Sequence, residues 1–260
     1  MFTDTHCHIH ELSYPLDADE VILRAAKSGV GKLICVGTSA ADSEVAVKFV
    51  AGRKNCWASI GQHPHKADEF DIDAKKIFKS LATDKKVVAV GECGLDYWYL
   101  NSDKENQKAC LRWQLDLAVE YDLPVIFHNR GSKSNQQDAF TDLWYILNDY
   151  PSIKGVVHSF STDKTILKQI LDHGLAVGVN GIMTFTKDLR QLEALDAVPL
   201  DSLVLETDAP FLTPAPLRGK VNEPKHLLRT AEFVAERKGA TLEQLEKSSS
   251  QVVESLFKLR

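Results

Sequence analysis

Phe2-Thr3-Asp4-Thr5-His6-Cys7-His8 opens the chain with a short β-branched run ending in His-Cys-His, where a dinucleotide-binding sheet would carry a Gly-rich turn. Working outward, similar short runs recur at residues 32–37, 57–61, 87–92, 124–128, 155–158, 175–179 and 203–206, which with 2–6 makes eight. Between them lie segments with helical spacing of apolar residues, such as 19–28, 39–51, 74–83, 103–121, 162–172 and 186–195. Several of these start at a Ser, Thr or Asp able to cap free backbone N–H groups, and Gly29 and Gly174 stand where helices stop. The runs Val87-Val88-Ala89-Val90 and Val156-Val157 are apolar without alternation, as expected of parallel strands covered on both faces. Eight such units predict an α/β fold of one domain over residues 1–260, a TIM (β/α)8 barrel, with an open doubly wound sheet as the structural alternative. After the eighth run come a Pro-rich loop, 210–224, and two helical segments, 223–238 and 241–259.

The composition suits such a core. With 44% hydrophobic and 26% charged residues among 260, the chain buries a sizeable interior and is neither disordered nor low-complexity. No apolar stretch approaches the roughly 18 residues of a membrane span, and the first ten residues lack the pattern of a signal peptide. Five scattered Cys without a C-x-x-C pair suggest neither a disulfide framework nor a zinc ribbon, so a reducing cytoplasm is expected. The net charge of −5 argues against a broad basic surface gripping a nucleic acid backbone.

The chemistry-bearing residues sit at the carboxyl ends of these runs. Side chains alternate along a strand, so His6 and His8 project to one side and can share an ion. Glu92 closes Val-Val-Ala-Val-Gly-Glu, His128 closes Pro-Val-Ile-Phe-His, His158 closes Gly-Val-Val-His, and Asp208 follows Leu-Val-Leu-Glu-Thr. In a barrel those ends converge on the face that carries active sites. Imidazole and carboxylate suit a divalent ion, and a carboxylate can bridge two. The expected assignment is His6, His8, Asp208 and Glu92 to one metal, with His128, His158 and again Glu92 to a second. Two dications bring +4 and the two carboxylates −2, so the site stands near +2 and attracts phosphate locally.

The sequence resembles the TatD-type metal-dependent hydrolases, also called TatD-type deoxyribonucleases. The motifs that carry the resemblance are Asp4-Thr5-His6-Cys7-His8, Gly61-Gln62-His63-Pro64-His65, Gly91-Glu92-Cys93-Gly94-Leu95-Asp96-Tyr97, Pro124-Val125-Ile126-Phe127-His128, Val157-His158-Ser159-Phe160 and Glu206-Thr207-Asp208-Ala209-Pro210. They extend to the loop with Arg218-Gly219-Lys220 and Asn222-Glu223-Pro224. The resemblance implies a TIM barrel of the metal-dependent hydrolase type, two divalent ions (Mg, Mn or Zn), and hydrolysis of phosphodiester bonds in DNA. It carries over the same six ligands. Gln62, Cys93, Asn129, Ser159 and Val221 depart from common residues of relatives, which bears on substrate preference rather than on the ligands.

The mechanism expected on this reading is attack on phosphorus by hydroxide formed from a two-metal-activated water, which Asp208 orients or deprotonates. Glu206 faces the same side as Asp208 and stands as an extra ligand or as a partner of one. His63 is the candidate donor to the scissile phosphate or leaving oxygen, ahead of His65. Tyr97, Trp98 and Tyr99 offer rings on which a base can stack, and Arg130, Arg218 and Lys220 offer phosphate contacts. The expected substrate is DNA at single-stranded or frayed chain ends, with exonuclease-like action. The alternatives are an amidohydrolase-type enzyme acting on an amide, lactone or phosphate ester, and a metal-stabilised binding module without activity.

Overall fold

The computed structural model describes residues 1–259. In chain order the strands and α-helices are β1 (Phe2–Cys7), α1 (Ala18–Lys27), β2 (Val30–Val36), α2 (Ala40–Val50), β3 (Cys56–Ile60), α3 (Ile72–Leu81), β4 (Val87–Asp96) and α4 (Lys104–Glu120). They continue with β5 (Val125–Arg130), α5 (Asp138–Leu147), β6 (Gly155–Val157), α6 (Lys164–Asp172), β7 (Ala176–Val179), α7 (Leu189–Ala197), β8 (Leu203–Leu205), α8 (Leu227–Lys238) and α9 (Leu242–Phe257). The strand order β1 to β8, with helices in between, is that of a TIM (β/α)8 barrel, as the alternation predicts. The chain divides into two compact units, Met1–Cys35 with Ser159–Arg260, and Val36–His158.

In the first unit β1 pairs in parallel with β2, from Phe2 opposite Val30 to Cys7 opposite Cys35, and β7 pairs with β8. A bridge from Cys7 to Ala209 joins β1 to the chain just past β8. The backbone there is tied twice more: the Asp208 N–H donates to the His6 carbonyl at 2.8 Å and the His8 N–H to the Ala209 carbonyl at 2.7 Å. These bonds are what bring the first strand and residue 208 together. Helix α9 packs on β1 and β8 with Leu245, Val253 and Phe257 buried. Its start is fixed by a reciprocal cap between Thr241 and Gln244, which satisfies two otherwise free N–H groups. The segment expected as one helix over 223–238 instead starts α8 at Leu227, because Pro224–His226 forms a separate 3-10 turn capped by Glu223.

In the second unit β3, β4, β5 and β6 pair in parallel. Strand β4 runs past Glu92 to Asp96, farther than expected. Val90 lies opposite Val125 but Cys93 lies opposite Phe127, so β4 holds one extra residue around Gly91 and Glu92. Such a bulge re-aims a side chain. Beyond it Gly94 faces His128, and a Cβ at Gly94 would collide with the His128 carbonyl oxygen. Glycine is needed there for close approach. Helix α4 carries two buried glutamines seven residues apart on its inner face. Gln114 accepts from the Gln62 N–H at 2.8 Å and donates to the Gln62 carbonyl at 3.1 Å. Gln107 does the same for Asp96, at 2.7 and 3.1 Å. The residues that follow β3 and end β4 are thereby fixed by one helix.

Candidate metal centre

The first unit gathers His6, His8 and Asp208. The two imidazole Nε2 atoms lie 3.2 Å apart, and Asp208 Oδ1 lies 3.3 Å from His8 Nε2 and 3.7 Å from His6 Nε2. Ligand bonds of about 2.0–2.1 Å in a tetrahedron put neighbouring donor atoms about 3.3 Å apart. Two nitrogens and a carboxylate oxygen at this spacing fit a divalent ion of zinc-like preference. Asp208 reaches this position from a left-handed backbone conformation (φ 57°), which Asp tolerates better than most residues. Next to it, Thr207 donates its N–H and its hydroxyl to Asp4. Burial pushes the Asp4 carboxyl up to about 8, against the hydrogen bonds from Thr207 and His6.

Glu206 is buried in the same unit. Its Oε1 accepts the Ser159 N–H at 2.6 Å and the Asn180 side-chain amide at 3.2 Å. This carboxylate ties the chain after β6 to the chain after β7, a bracing role that the sequence reading did not name.

The second unit gathers His63, His65, Glu92, Asp96, His128 and His158. Glu92 Oε1 lies 2.7 Å from His128 Nδ1, 3.1 Å from His158 Nε2 and 3.6 Å from His63 Nε2. The opposite nitrogen of His128 meets Asp96 Oδ2 at 2.9 Å, and His65 Nε2 meets the same oxygen at 3.0 Å. The donor set around Glu92 is again imidazole nitrogen and carboxylate oxygen at spacings an ion can span. Burial drives the His63 imidazole down to about 4, only partly offset by Glu92, so the ring is neutral at pH 7. Burial would also lower His128, but the bonds to Asp96 and Glu92 outweigh it and leave its value raised. Burial pushes Asp96 up while His128, His65 and the Tyr99 amide pull harder, leaving its carboxyl well below the usual range.

Asp96 is the residue that sequence reasoning missed. It stands two positions after Gly94 and four after Glu92, beyond the run that reads as a strand. The signal was the alternation Glu92, Gly94, Asp96, which puts two carboxylates and a gap on one face.

The expected substrate contacts divide sharply. Tyr97 is corrected: it is 2% exposed, its hydroxyl donates to Asp142 at 2.7 Å and Lys104 covers its ring, so no base can reach it. Tyr99 is 56% exposed and its ring stands edge-on to His65, with centroids 5.4 Å apart. Arg130 stacks over Trp98 at 4.6 Å and Tyr99 at 5.1 Å, which makes a cationic aromatic ledge beside His65. In the first unit Arg218 is spent on its own loop, stacked on Phe185 at 3.8 Å and bonded to the Thr213 carbonyl, whereas Lys220 is exposed. Phe211, which the sequence reading did not single out, lies half-exposed with its ring 6.4 Å from that of His8.

A family model described as TatD related DNase matches residues 3–258. The chain belongs to the TatD related DNase family. It is 34% identical over 261 residues to the metal-dependent hydrolase YabD of Bacillus subtilis (strain 168), covering all of both chains. It is 33% identical over 262 residues to the 3'-5' ssDNA/RNA exonuclease TatD of Pantoea ananatis, covering 98% of this chain and 99% of that one. Among solved structures, YJJV, a TatD homologue from Escherichia coli K12, superposes with a TM-score of 0.88 at 29% identity, over 99% of this chain and 98% of that one. This TatD-family chain is accordingly a metal-dependent hydrolase acting on ester bonds, and the resemblance carried by its motifs is borne out. Among the described residues no helix is long and apolar enough to cross a membrane.

Proposed function

We propose that this TatD-family hydrolase cleaves phosphodiester bonds of single-stranded DNA from the 3' end, using two divalent ions, Mg, Mn or Zn. The observation that carries the reading is a pair of donor groups of the same chemistry, His6-His8-Asp208 in one unit and Glu92-His128-His158 in the other. The TatD of Pantoea ananatis, named as a 3'-5' ssDNA/RNA exonuclease, supports the choice of substrate and polarity. Divalent ions held there supply Lewis-acid polarisation of a phosphoryl oxygen and acidify water. The sequence reading gives Glu92 to both ions.

The chain's own residues supply the rest. Asp208, only partly buried, orients the attacking water. His63 Nδ1 accepts the His65 N–H at 3.1 Å, so its proton sits on Nε2. A neutral ring with a proton there is a hydrogen-bond donor to the scissile phosphate or the leaving oxygen. Tyr99 and Arg130 hold the nucleotide next to the reacting one. Residues 1–260 act as one catalytic domain, and five buried, scattered cysteines suit a reducing cytoplasm.

The test is nucleotide release from end-labelled single-stranded and duplex oligonucleotides with Mg, Mn or Zn added to metal-stripped protein, compared with Glu92→Ala and Asp208→Ala. Stepwise shortening from the 3' end of single strands, lost with chelator and in both variants, is expected. Hydrolysis of an amide or lactone by a protein that leaves DNA intact would replace this reading with the amidohydrolase one.

A further inference from the structure

Glu92, Gly94 and Asp96 occupy alternate positions of β4 and share a face, with Gly94 opposite His128. With no side chain at Gly94 the His128 backbone packs close against β4. The His128 ring lies between the two carboxylates, with Nδ1 at 2.7 Å from Glu92 Oε1 and Nε2 at 2.9 Å from Asp96 Oδ2.

The two carboxylates differ in what else they touch. Glu92 Oε1 meets the imidazoles of His158 and His63, a set of donors that suits a cation. Asp96 is fully buried, and its Oδ1 accepts the N–H groups of Trp98 and Tyr99 at 3.0 Å each. Its Oδ2 receives His128, and His65 Nε2 lies 3.0 Å from the same oxygen. A carboxylate engaged on both oxygens with N–H donors acts as an acceptor. An imidazole that gives a lone pair to an ion through one nitrogen keeps its proton on the other, and the partner of that second nitrogen selects the arrangement.

We infer that Asp96 is a positioning residue that holds the His128 proton on Nε2, so that Nδ1 turns its lone pair toward a divalent ion on the Glu92 side. This rests on the two-ion reading above. The competing arrangement, a cation among His65, Asp96 and His128 Nε2, would strip the second proton from a ring that already serves an ion through Nδ1. An imidazolate is a far costlier species than the imidazole that Asp96 accommodates.

Asp96→Asn provides the test, because the N–H groups of Trp98 and Tyr99 select the carboxamide oxygen for the Oδ1 position. The NH2 group then faces both imidazoles and drives their protons to Nδ1. Calorimetric titration of metal-stripped protein with Zn2+ is expected to show one of two sites weakened about 10–100-fold and the other unchanged. In zinc-loaded wild type labelled with 15N-histidine, NMR is expected to show a proton on His128 Nε2 and none on Nδ1. That spectrum decides even if the variant does not fold. A proton on Nδ1, an unchanged zinc affinity in Asp96→Asn, or a third zinc lost with Asp96 overturns the inference. A wild-type protein that binds no zinc, magnesium or manganese overturns the two-ion reading instead.

Discussion

Thr207 donates its N–H at 2.9 Å and its hydroxyl at 2.5 Å to the carboxyl group of Asp4, 203 positions earlier in the chain. The bond fixes the residue just before Asp208 to the strand that carries His6 and leads into His8. Thr207→Val keeps the shape and removes the hydroxyl, leaving a buried carboxyl short of a partner. We expect about 1–3 kcal/mol of destabilisation in urea unfolding. Zinc affinity at the His6-His8-Asp208 group should fall with it, and an unchanged affinity would show that Thr207 does not position Asp208.

The buried glutamines of α4 make a second prediction. Gln107 serves the N–H and carbonyl of Asp96 as well as the Ser102 carbonyl, and Gln114 serves both groups of Gln62. Gln107→Leu or Gln114→Leu is nearly isosteric but leaves buried backbone groups without partners. Each should cost about 2–4 kcal/mol, read as a lower urea midpoint with the slope unchanged.

Tyr97 and Tyr99 should respond in opposite ways. Tyr99→Ala removes the exposed ring beside His65 and is expected to weaken binding of a single-stranded oligonucleotide by roughly 5–100-fold, as for other stacked bases. Tyr97→Phe removes only the bond to Asp142 and should cost about 1 kcal/mol of stability with oligonucleotide binding intact. Fluorescence anisotropy on chelator-treated protein separates the two effects, and loss of binding in Tyr97→Phe would contradict the inward placement of that ring.

A pH dependence is expected from Glu223. Burial raises this carboxyl, but Lys225 at 2.9 Å and Arg24 at 2.7 Å outweigh it and hold its value below the usual range. The folded value then lies below the unfolded one, about 4.3, so the pair stabilises fully above about pH 5 and is lost as pH falls through the folded value. Arg24→Gln should cost about 1 kcal/mol at pH 7, a figure discounted for the partial exposure of Arg24. Urea curves of variant and wild type should converge toward pH 3; a gap that stays constant would assign the loss to packing.

The legible parts of the site are those governed by strand periodicity. His6 and His8 share a side because alternate residues do, and His128 and His158 stand at strand ends that the apolar runs announce. Asp96 was hidden by the bulge at Gly91 and Glu92, which lets β4 continue where the sequence reads as finished. The inward turn of Tyr97 was hidden for another reason. Its partner Asp142 lies on α5, a helix with no expected range, whose first turn lacks the side-chain cap that marks most of the others. Gln107 and Gln114 look like ordinary polar helix residues, because only the position of the strand ends reveals that they satisfy backbone.

The bridge from Cys7 to Ala209 also has a consequence for biosynthesis. On the ribosome β1 emerges ahead of the segment that completes the proposed His6-His8-Asp208 trio, which is translated some 200 residues later, a wait of about 10–40 s at ordinary elongation rates. A product ending before residue 208 therefore has His6 and His8 but lacks Asp208, and on the proposed function it stays inert until the chain past β8 has been made.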